Sequence, residues 1–243
     1  MQAWGLSDPG MVRHENQDAY AVEKISAHGL LAVVCDGMGG AKAGNVASGM
    51  ALDVFCEEIL RGCKPSMSEE KVKKLLHSAA ELANKAVYEQ AAQDAEYSGM
   101  GTTLVAAVIL GKKACIINIG DSRAYHVGSH GIHRVTTDHS FVQMMVQRGD
   151  ISQAEALNHP GKNLITRAIG TESAVEGDLF TVEMTEGDSL LLCSDGLSNV
   201  VAEQEMLFEI VHGNSKMDCC QRLVDIAKKR GAPDNVTALL ISE

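Results

Sequence analysis

Two hydrophobic periods alternate along the chain. Short apolar or alternating runs at Ala3–Ser7, Ala19–Glu23 and Leu30–Cys35 predict strands. Helical spacing follows from about Ala43 to Arg61, with Val46, Met50, Val54 and Leu60 near one face. A second helix is predicted from about Ser68 to Gln93, with Ser66 and Glu69 reading as a capping box. Its stripe is Val72, Leu75, Leu76, Ala79, Leu82, Ala83, Ala86 and Val87. Thr102–Leu110, Ala114–Ile119, Ala124–Val127 and Ile132–Val135 then read as a meander of successive antiparallel strands. Residues 139–170 are polar and weakly periodic and read as an irregular flap with short helical pieces. Strands at Asp178–Met184, Ser189–Cys193 and Val236–Ile241 enclose helices at about Glu203–His212 and Met217–Arg230. The last helix ends Lys228-Lys229-Arg230-Gly231, with basic charge in its final turn and Gly just beyond.

Strands in runs and helices in pairs argue α+β with antiparallel sheets rather than alternating βαβ units. The 243 residues carry no linker of biased composition and no repeat, so one domain spanning 1–243 is expected. A formal net charge of −11 argues against a nucleic-acid partner, because a phosphate backbone requires basic stripes. Apolar runs such as Leu104–Leu110 fall far short of the ~20 residues that span a bilayer. The N-terminus lacks a basic region followed by an apolar core, so no secretory leader is expected. The 7 Cys are odd in number and mostly lie in apolar segments, which fits buried thiols and a cytoplasmic location. No Cys-based phosphatase loop is present; Cys56 and Arg61 miss its spacing by one position.

The informative feature is where Asp falls relative to the apolar runs. Leu30–Cys35 ends in Asp36-Gly37, and Ser189–Cys193 ends in Ser194-Asp195-Gly196. Asp18 precedes one strand and Asp234-Asn235 precedes another. Antiparallel pairing of Ala19–Glu23 with Leu30–Cys35 would put Asp18 and Asp36 on one edge. Pairing of Ser189–Cys193 with Val236–Ile241 would do the same for Asp195 and Asp234. Asp121 also follows a strand. A single Asp-Gly after a strand is ordinarily a turn. Several converging are a different matter: two carboxylates 4 Å apart repel by about 4 kcal/mol at an effective dielectric of about 20. A hard cation such as Mg²⁺ or Mn²⁺ removes that repulsion, and none of the 9 His has a zinc spacing.

The stretch Gly37-Met38-Gly39-Gly40-Ala41-Lys42-Ala43-Gly44 is neither a Walker loop nor a dinucleotide fingerprint. It reads as a turn into the following helix, or as a place where the Gly37 carbonyl approaches a metal. Arg13, near Asp18, gains interest because a phosphate beside an acidic cluster needs a fork of N–H donors.

Taken together, Arg13-x-x-Asn16-Gln17-Asp18, Val34-Cys35-Asp36-Gly37-Met38-Gly39-Gly40, Gly99-Met100-Gly101-Thr102-Thr103, Gly120-Asp121-Ser122-Arg123, Thr137-Asp138-His139-Ser140, Ser194-Asp195-Gly196-Leu197 and Asp234-Asn235-Val236-Thr237 resemble the PP2C-type (PPM) metal-dependent serine/threonine phosphatases, in their compact bacterial form. The motifs follow in order over essentially the whole chain. The resemblance implies a four-layer αββα sandwich, two antiparallel sheets flanked by helix pairs, with a binuclear Mn²⁺ or Mg²⁺ site at one edge. It implies that Asp36 bridges both ions, that the Gly37 carbonyl binds the first, and that Asp195 and Asp234 bind the second. Asp18 would act directly or through water, and Asp121 with Asp195 would hold a third, weaker ion. Arg13 would bind phosphate, and residues 139–170 would be the flap that gates substrates.

The implied reaction is hydrolysis of phosphoserine and phosphothreonine on proteins by direct attack of a metal-bridging hydroxide, with no phosphoenzyme. The implied partners are phosphorylated proteins, among them a serine/threonine kinase whose signalling the enzyme would oppose, and the implied state is a monomer. One departure stands out: where many relatives place a His as general acid, this chain has Met38 and Ala41. A metal-bound water, His14 and His139 remain candidates for that role. Two other readings stay open, a catalytically silent regulator of the same fold and a phosphatase of small molecules.

Overall fold

Ten residues, Gly29–Met38, form a strand (β3) whose two faces are both apolar, and this two-sidedness sets the architecture. Leu31, Val33 and Cys35 point to a helical layer, whereas Leu30, Ala32 and Val34 point to a second sheet. The computed structural model describes residues 1–40 and 43–243. Strand β1 (Gln2–Asp8) opens the chain, followed by β2 (Asp18–Ser26), β3 and the helices α1 (Ala43–Gly62) and α2 (Glu69–Gln93). Then come β4 (Gly101–Thr102), β5 (Leu104–Leu110), β6 (Lys113–Ile119), β7 (Arg123–Gly128) and β8 (Gly131–Arg134). Two short helices, α3 (Phe141–Arg148) and α4 (Gln153–Leu157), precede β9 (Asp178–Glu183) and β10 (Ser189–Cys193). The chain closes with α5 (Asp195–Ser198), α6 (Glu203–His212), α7 (Cys219–Lys229) and β11 (Val236–Ser242).

One sheet has the order β1-β11-β10-β7-β8 and the other β2-β3-β5-β6-β9, with β4 pairing β3; all pairings are antiparallel. Helices α1 and α2 cover the second sheet through Phe55, Ile59 and Leu76. Helices α5, α6 and α7 cover the first through Leu197, Met206 and Leu223. Between the sheets lies a third apolar layer that includes Val34, Ile116, Leu192 and Leu239. This is the expected four-layer αββα sandwich.

Three local expectations are corrected. The meander divides: β6 pairs with β5 and β9, while β7 crosses to the other sheet beside β10. The crossing falls on Gly120-Asp121-Ser122, where Gly120 has φ +108. The Ser66–Glu69 capping box does not form. Ser68 is the N-cap of α2 without a side-chain bond, and Glu69 instead accepts from Lys73 (2.8 Å), Lys113 (3.2 Å) and Thr181 (2.8 Å). On α1 the buried line is Ala47, Ala51, Phe55 and Ile59, with Val46, Met50 and Val54 flanking it and Leu60 exposed. Ala47 and Ala51 let α1 approach the sheet closely beside Phe55 and Ile59, and Val46, Met50 and Val54 lie at the border of the contact. Leu82 of α2 is likewise exposed. Among the described residues no helix is long and apolar enough to cross a membrane.

Leu192, fully buried between the sheets, is expected to lose about 2–5 kcal/mol of stability on Leu192→Ala, read from urea denaturation. Leu82→Ala, on the exposed face of α2, is expected to stay within about 0.5 kcal/mol of wild type in the same assay.

Candidate metal centre

Strand register brings the carboxylates together. In the β2–β3 ladder Asp18 lies directly opposite Asp36. Cys193 of β10 pairs with Ala238 of β11, so Asp195 and Asp234 emerge at the same end of the other sheet. Cys193 also pairs with Arg123, which delivers Asp121 from the sheet crossing to the same place. Asp36, Asp121, Asp195 and Asp234 line one cleft of ≈ 660 Å³ together with Arg13 and Gly37.

Asp18 stands behind the cleft, buried, and joins the two sheets. Its Oδ2 accepts from Ser194 Oγ (2.7 Å) and Thr237 Oγ1 (2.6 Å), both on the opposite sheet's edge. Its Oδ1 is buried without a hydrogen-bond partner among the described residues. Asp36 is fixed through its backbone: its N–H donates to Thr103 Oγ1 (2.9 Å), and its carbonyl accepts from the Thr102 hydroxyl and the Thr103 N–H. A Cβ on Gly37 would lie 2.1 Å from the Gly44 carbonyl and 2.7 Å from that of Gln17, so backbone packing alone demands glycine there. Asn199 Nδ2 donates to Asp195 Oδ2 (3.0 Å) within the turn of α5.

The crowding leaves its mark on acidity. Burial, reinforced by the charges of Asp18, Asp195, Asp121 and Asp234, pushes Asp36 well above the usual carboxylate range. Burial raises Asp121 to about 8, with Asp195 and Asp138 adding to it and Arg123 opposing. Asp18 rises to about 6, chiefly through burial, although its two hydroxyl bonds favour the ionised form. Asp195 is raised by burial and by Asp234 and relieved by a hydrogen bond with Asp36.

Among the described residues no group of three or more His, Cys, Asp or Glu side chains meets metal-ligand geometry. The fit to a cation rests on the orphaned Asp18 Oδ1 and on carboxylates that repel one another until a positive charge joins them. An all-oxygen donor set of this kind suits Mg²⁺ or Mn²⁺.

Arg13 enters the cleft as expected, with its guanidinium half exposed and Nη2 2.9 Å from Asp234 Oδ2. Of the candidate acids, His14 lines the cleft and His139 does not; Met38, which stands where many relatives place a His, lines it too. His139 Nδ1 accepts the Gly120 N–H (3.1 Å), and its Nε2 faces Asp178 (3.3 Å) and Arg167 (3.1 Å). Burial and Arg167 hold it below the ordinary imidazole range, so it clamps the base of the flap instead of donating protons in the cleft. Ala41 lies outside the described residues, as does Lys42. The flap region is more ordered than its polarity suggests: Ser140 caps α3, and Ser152 with Glu155 forms a capping box on α4. Its return leg supplies Asn163 and Ile165 to the cleft wall.

Sequence reasoning missed the groups that hold the carboxylates in place, Thr103, Ser194, Thr237 and Asn235. All four sit inside motif strings already singled out; what was missing was which neighbour each meets at the strand ends.

Known proteins resemble this chain over nearly its whole length. The Protein phosphatase 2C family profile matches residues 12–240. The chain is 36% identical over 241 residues to the Serine/threonine phosphatase stp of Listeria monocytogenes, covering 99% of this chain and 95% of that one. It superposes on Serine/threonine phosphatase Stp1 from Staphylococcus aureus with a TM-score of 0.94 at 36% identity, covering 100% and 94% of the two chains. The catalytic domain of serine threonine protein phosphatase PstP, solved in complex with 2 manganese ions, superposes with a TM-score of 0.84 at 31% identity, covering 98% and 96%. An antiparallel αββα sandwich with an acidic cleft at the sheet edge thus defines a metal-dependent serine/threonine phosphatase. The chain belongs to the protein phosphatase 2C family.

The raised carboxyls carry a signed prediction. Asp121 keeps its proton in the folded chain up to about 8, whereas the unfolded chain releases it near 3.8, so this group lowers metal-free stability increasingly as pH rises between those values. Without metal, Asp121→Asn is expected to match wild type in thermal midpoint near pH 4 and to exceed it progressively toward about pH 9. Added Mn²⁺ is expected to narrow the gap. A gap independent of pH would show that Asp121 is not crowded.

Proposed function

We propose that the enzyme hydrolyses phosphoserine and phosphothreonine on proteins by direct attack of water, opposing a serine/threonine kinase in signalling. The observation that carries this reading is the convergence of Asp36, Asp121, Asp195 and Asp234 with Arg13 in one cleft. Asp36, Gly37, Asp195 and Asp234 would hold two divalent ions, with Asp18 supporting them from behind. Asp121 and Asp195 would hold a third. When bound, such ions lower the pKa of a shared water and neutralise charge on phosphoryl oxygens.

The chain's own groups supply the rest. Arg13 presents a planar fork of donors to the phosphate from the exposed side of the cleft. His14, at the cleft wall, or a metal-bound water would give a proton to the leaving alkoxide. A phosphocysteine route has no support: all 7 thiols are free and buried, none lines the cleft, and burial pushes those nearest it, Cys35 and Cys193, upward, Cys193 to about 12. The segment 139–170 would gate access, because it lends Asn163 and Ile165 to the wall. Residues 1–243 would act as one domain, as a monomer, in a cytoplasm that keeps the thiols reduced. The complete carboxylate set favours an active enzyme over a silent regulator.

Hydrolysis of an aryl phosphate and of a phosphothreonine peptide is expected with added Mn²⁺ and is expected to stop on chelation. Asp36→Asn is expected to reduce kcat by at least about 10²-fold. Arg13→Ala is expected to raise KM by about tenfold through loss of a charged hydrogen bond. Purified protein that stays inert with every divalent ion tried would end the proposal.

A further inference from the structure

The loop that carries Arg13 joins β1 to β2 and contains no helix or strand of its own. Something else must fix it, because an arginine on a free loop loses much of its grip on phosphate to conformational entropy. One buried side chain reaches the loop at three points. Asn235 Oδ1 accepts the Gln17 N–H (2.8 Å), while its Nδ2 donates to the carbonyls of Pro9 (3.0 Å) and Glu15 (2.9 Å). Both amide protons and the carbonyl are therefore committed to the backbone of the Arg13 loop, on both sides of Arg13. The residue is 4% exposed, so water does not compete for these bonds.

Adjacent contacts press the loop onto the same segment. Met11 N–H donates to the Ala232 carbonyl (3.0 Å), and Ala232 is a buried non-glycine held at φ 24. Gly10 has φ +79, and a Cβ there would lie 2.2 Å from the Asp234 carbonyl. The backbone N–H of residue 235 meanwhile donates to Asp234 Oδ1 (2.9 Å). One dipeptide thus sets a carboxylate through a backbone bond and the Arg13 loop through a side chain.

We infer that Asn235 is a positioning residue for phosphate: its carboxamide clamps the loop between Pro9 and Gln17 so that Arg13 is held over the carboxylate cluster. The inference rests on the phosphate-binding reading of Arg13. It separates two functions that share a dipeptide. Removing the carboxamide frees the loop, yet the N–H that orients Asp234 belongs to the backbone and survives in an alanine variant.

The test is a double-mutant cycle on the Mn²⁺-loaded enzyme with an aryl phosphate, using inorganic phosphate as competitive inhibitor. Asn235→Ala is expected to raise KM and the phosphate inhibition constant by about tenfold, as loss of buried hydrogen bonds would, with a smaller fall in kcat. Combined with Arg13→Ala, it is expected to add little to the KM of Arg13→Ala alone. Calorimetric Mn²⁺ affinity is expected to stay within about twofold of wild type. Trypsin is expected to cut after Arg13 faster in the variant. Additive KM effects, or loss of Mn²⁺ affinity as large as the loss of phosphate affinity, would overturn the inference while leaving the role of Arg13 intact. An Arg13→Ala enzyme with unaltered KM and phosphate inhibition would overturn both. Should Asn235→Ala fail to fold, hydrogen exchange on wild type decides: the Gln17 amide is expected to be as protected as the amides of β1, and exchange at an unstructured rate would sink the clamp.

Discussion

Mutual repulsion among crowded carboxylates governs this molecule. Asp36 feels the charges of Asp18, Asp195, Asp121 and Asp234 at once. A folded chain tolerates such a cluster only by keeping protons on it or by adding positive charge. Arg13 supplies one charge, through its ion pair with Asp234. That is too little for the whole set, and the unpartnered Oδ1 of Asp18 marks where compensation is still lacking. Bound cations would therefore act on the stability of the fold as well as on its chemistry.

The same cluster explains why the sandwich is built as it is. Asp18 and Asp36 come from one sheet, Asp195 and Asp234 from the edge of the other, and Asp121 from the segment that crosses between them. The apolar layer that includes Val34, Leu192 and Leu239 sets the distance between the sheets and hence between the carboxylates. The hydroxyls of Ser194 and Thr237 on Asp18 tie the sheets together at the functional end. A shift of either sheet would disturb the carboxylates and core packing together, so metal binding there would be coupled to tertiary stability.

Much of this was legible in the residues. The run Leu30–Cys35 ending in Asp36, and Asp18 opening the apolar run before it, were enough to place the two carboxylates opposite each other once the two runs pair antiparallel. The sheet crossing at Gly120 was not legible: β6 and β7 are both apolar strands separated by a few residues, and a hairpin and a crossing look alike until the partners β9 and β10 are known. The buried face of α1 was misplaced because alanines carry little hydrophobic signal yet permit the closest packing. His139 is a candidate acid by sequence, but the Gly120 N–H and Asp178 claim both ring nitrogens. Asn235 was visible within its motif, and its clamp depended on loop carbonyls that no pattern of side chains announces.

The central claim is that these aspartates form one pocket made habitable by divalent ions. Anomalous diffraction from Mn²⁺-soaked crystals tests it most directly. The account predicts a pair of strong manganese peaks in the cleft, ligated by Asp36, Asp195 and Asp234 with Asp36 between them. Peaks scattered over other faces, or a cleft that stays empty at saturating Mn²⁺, would contradict it.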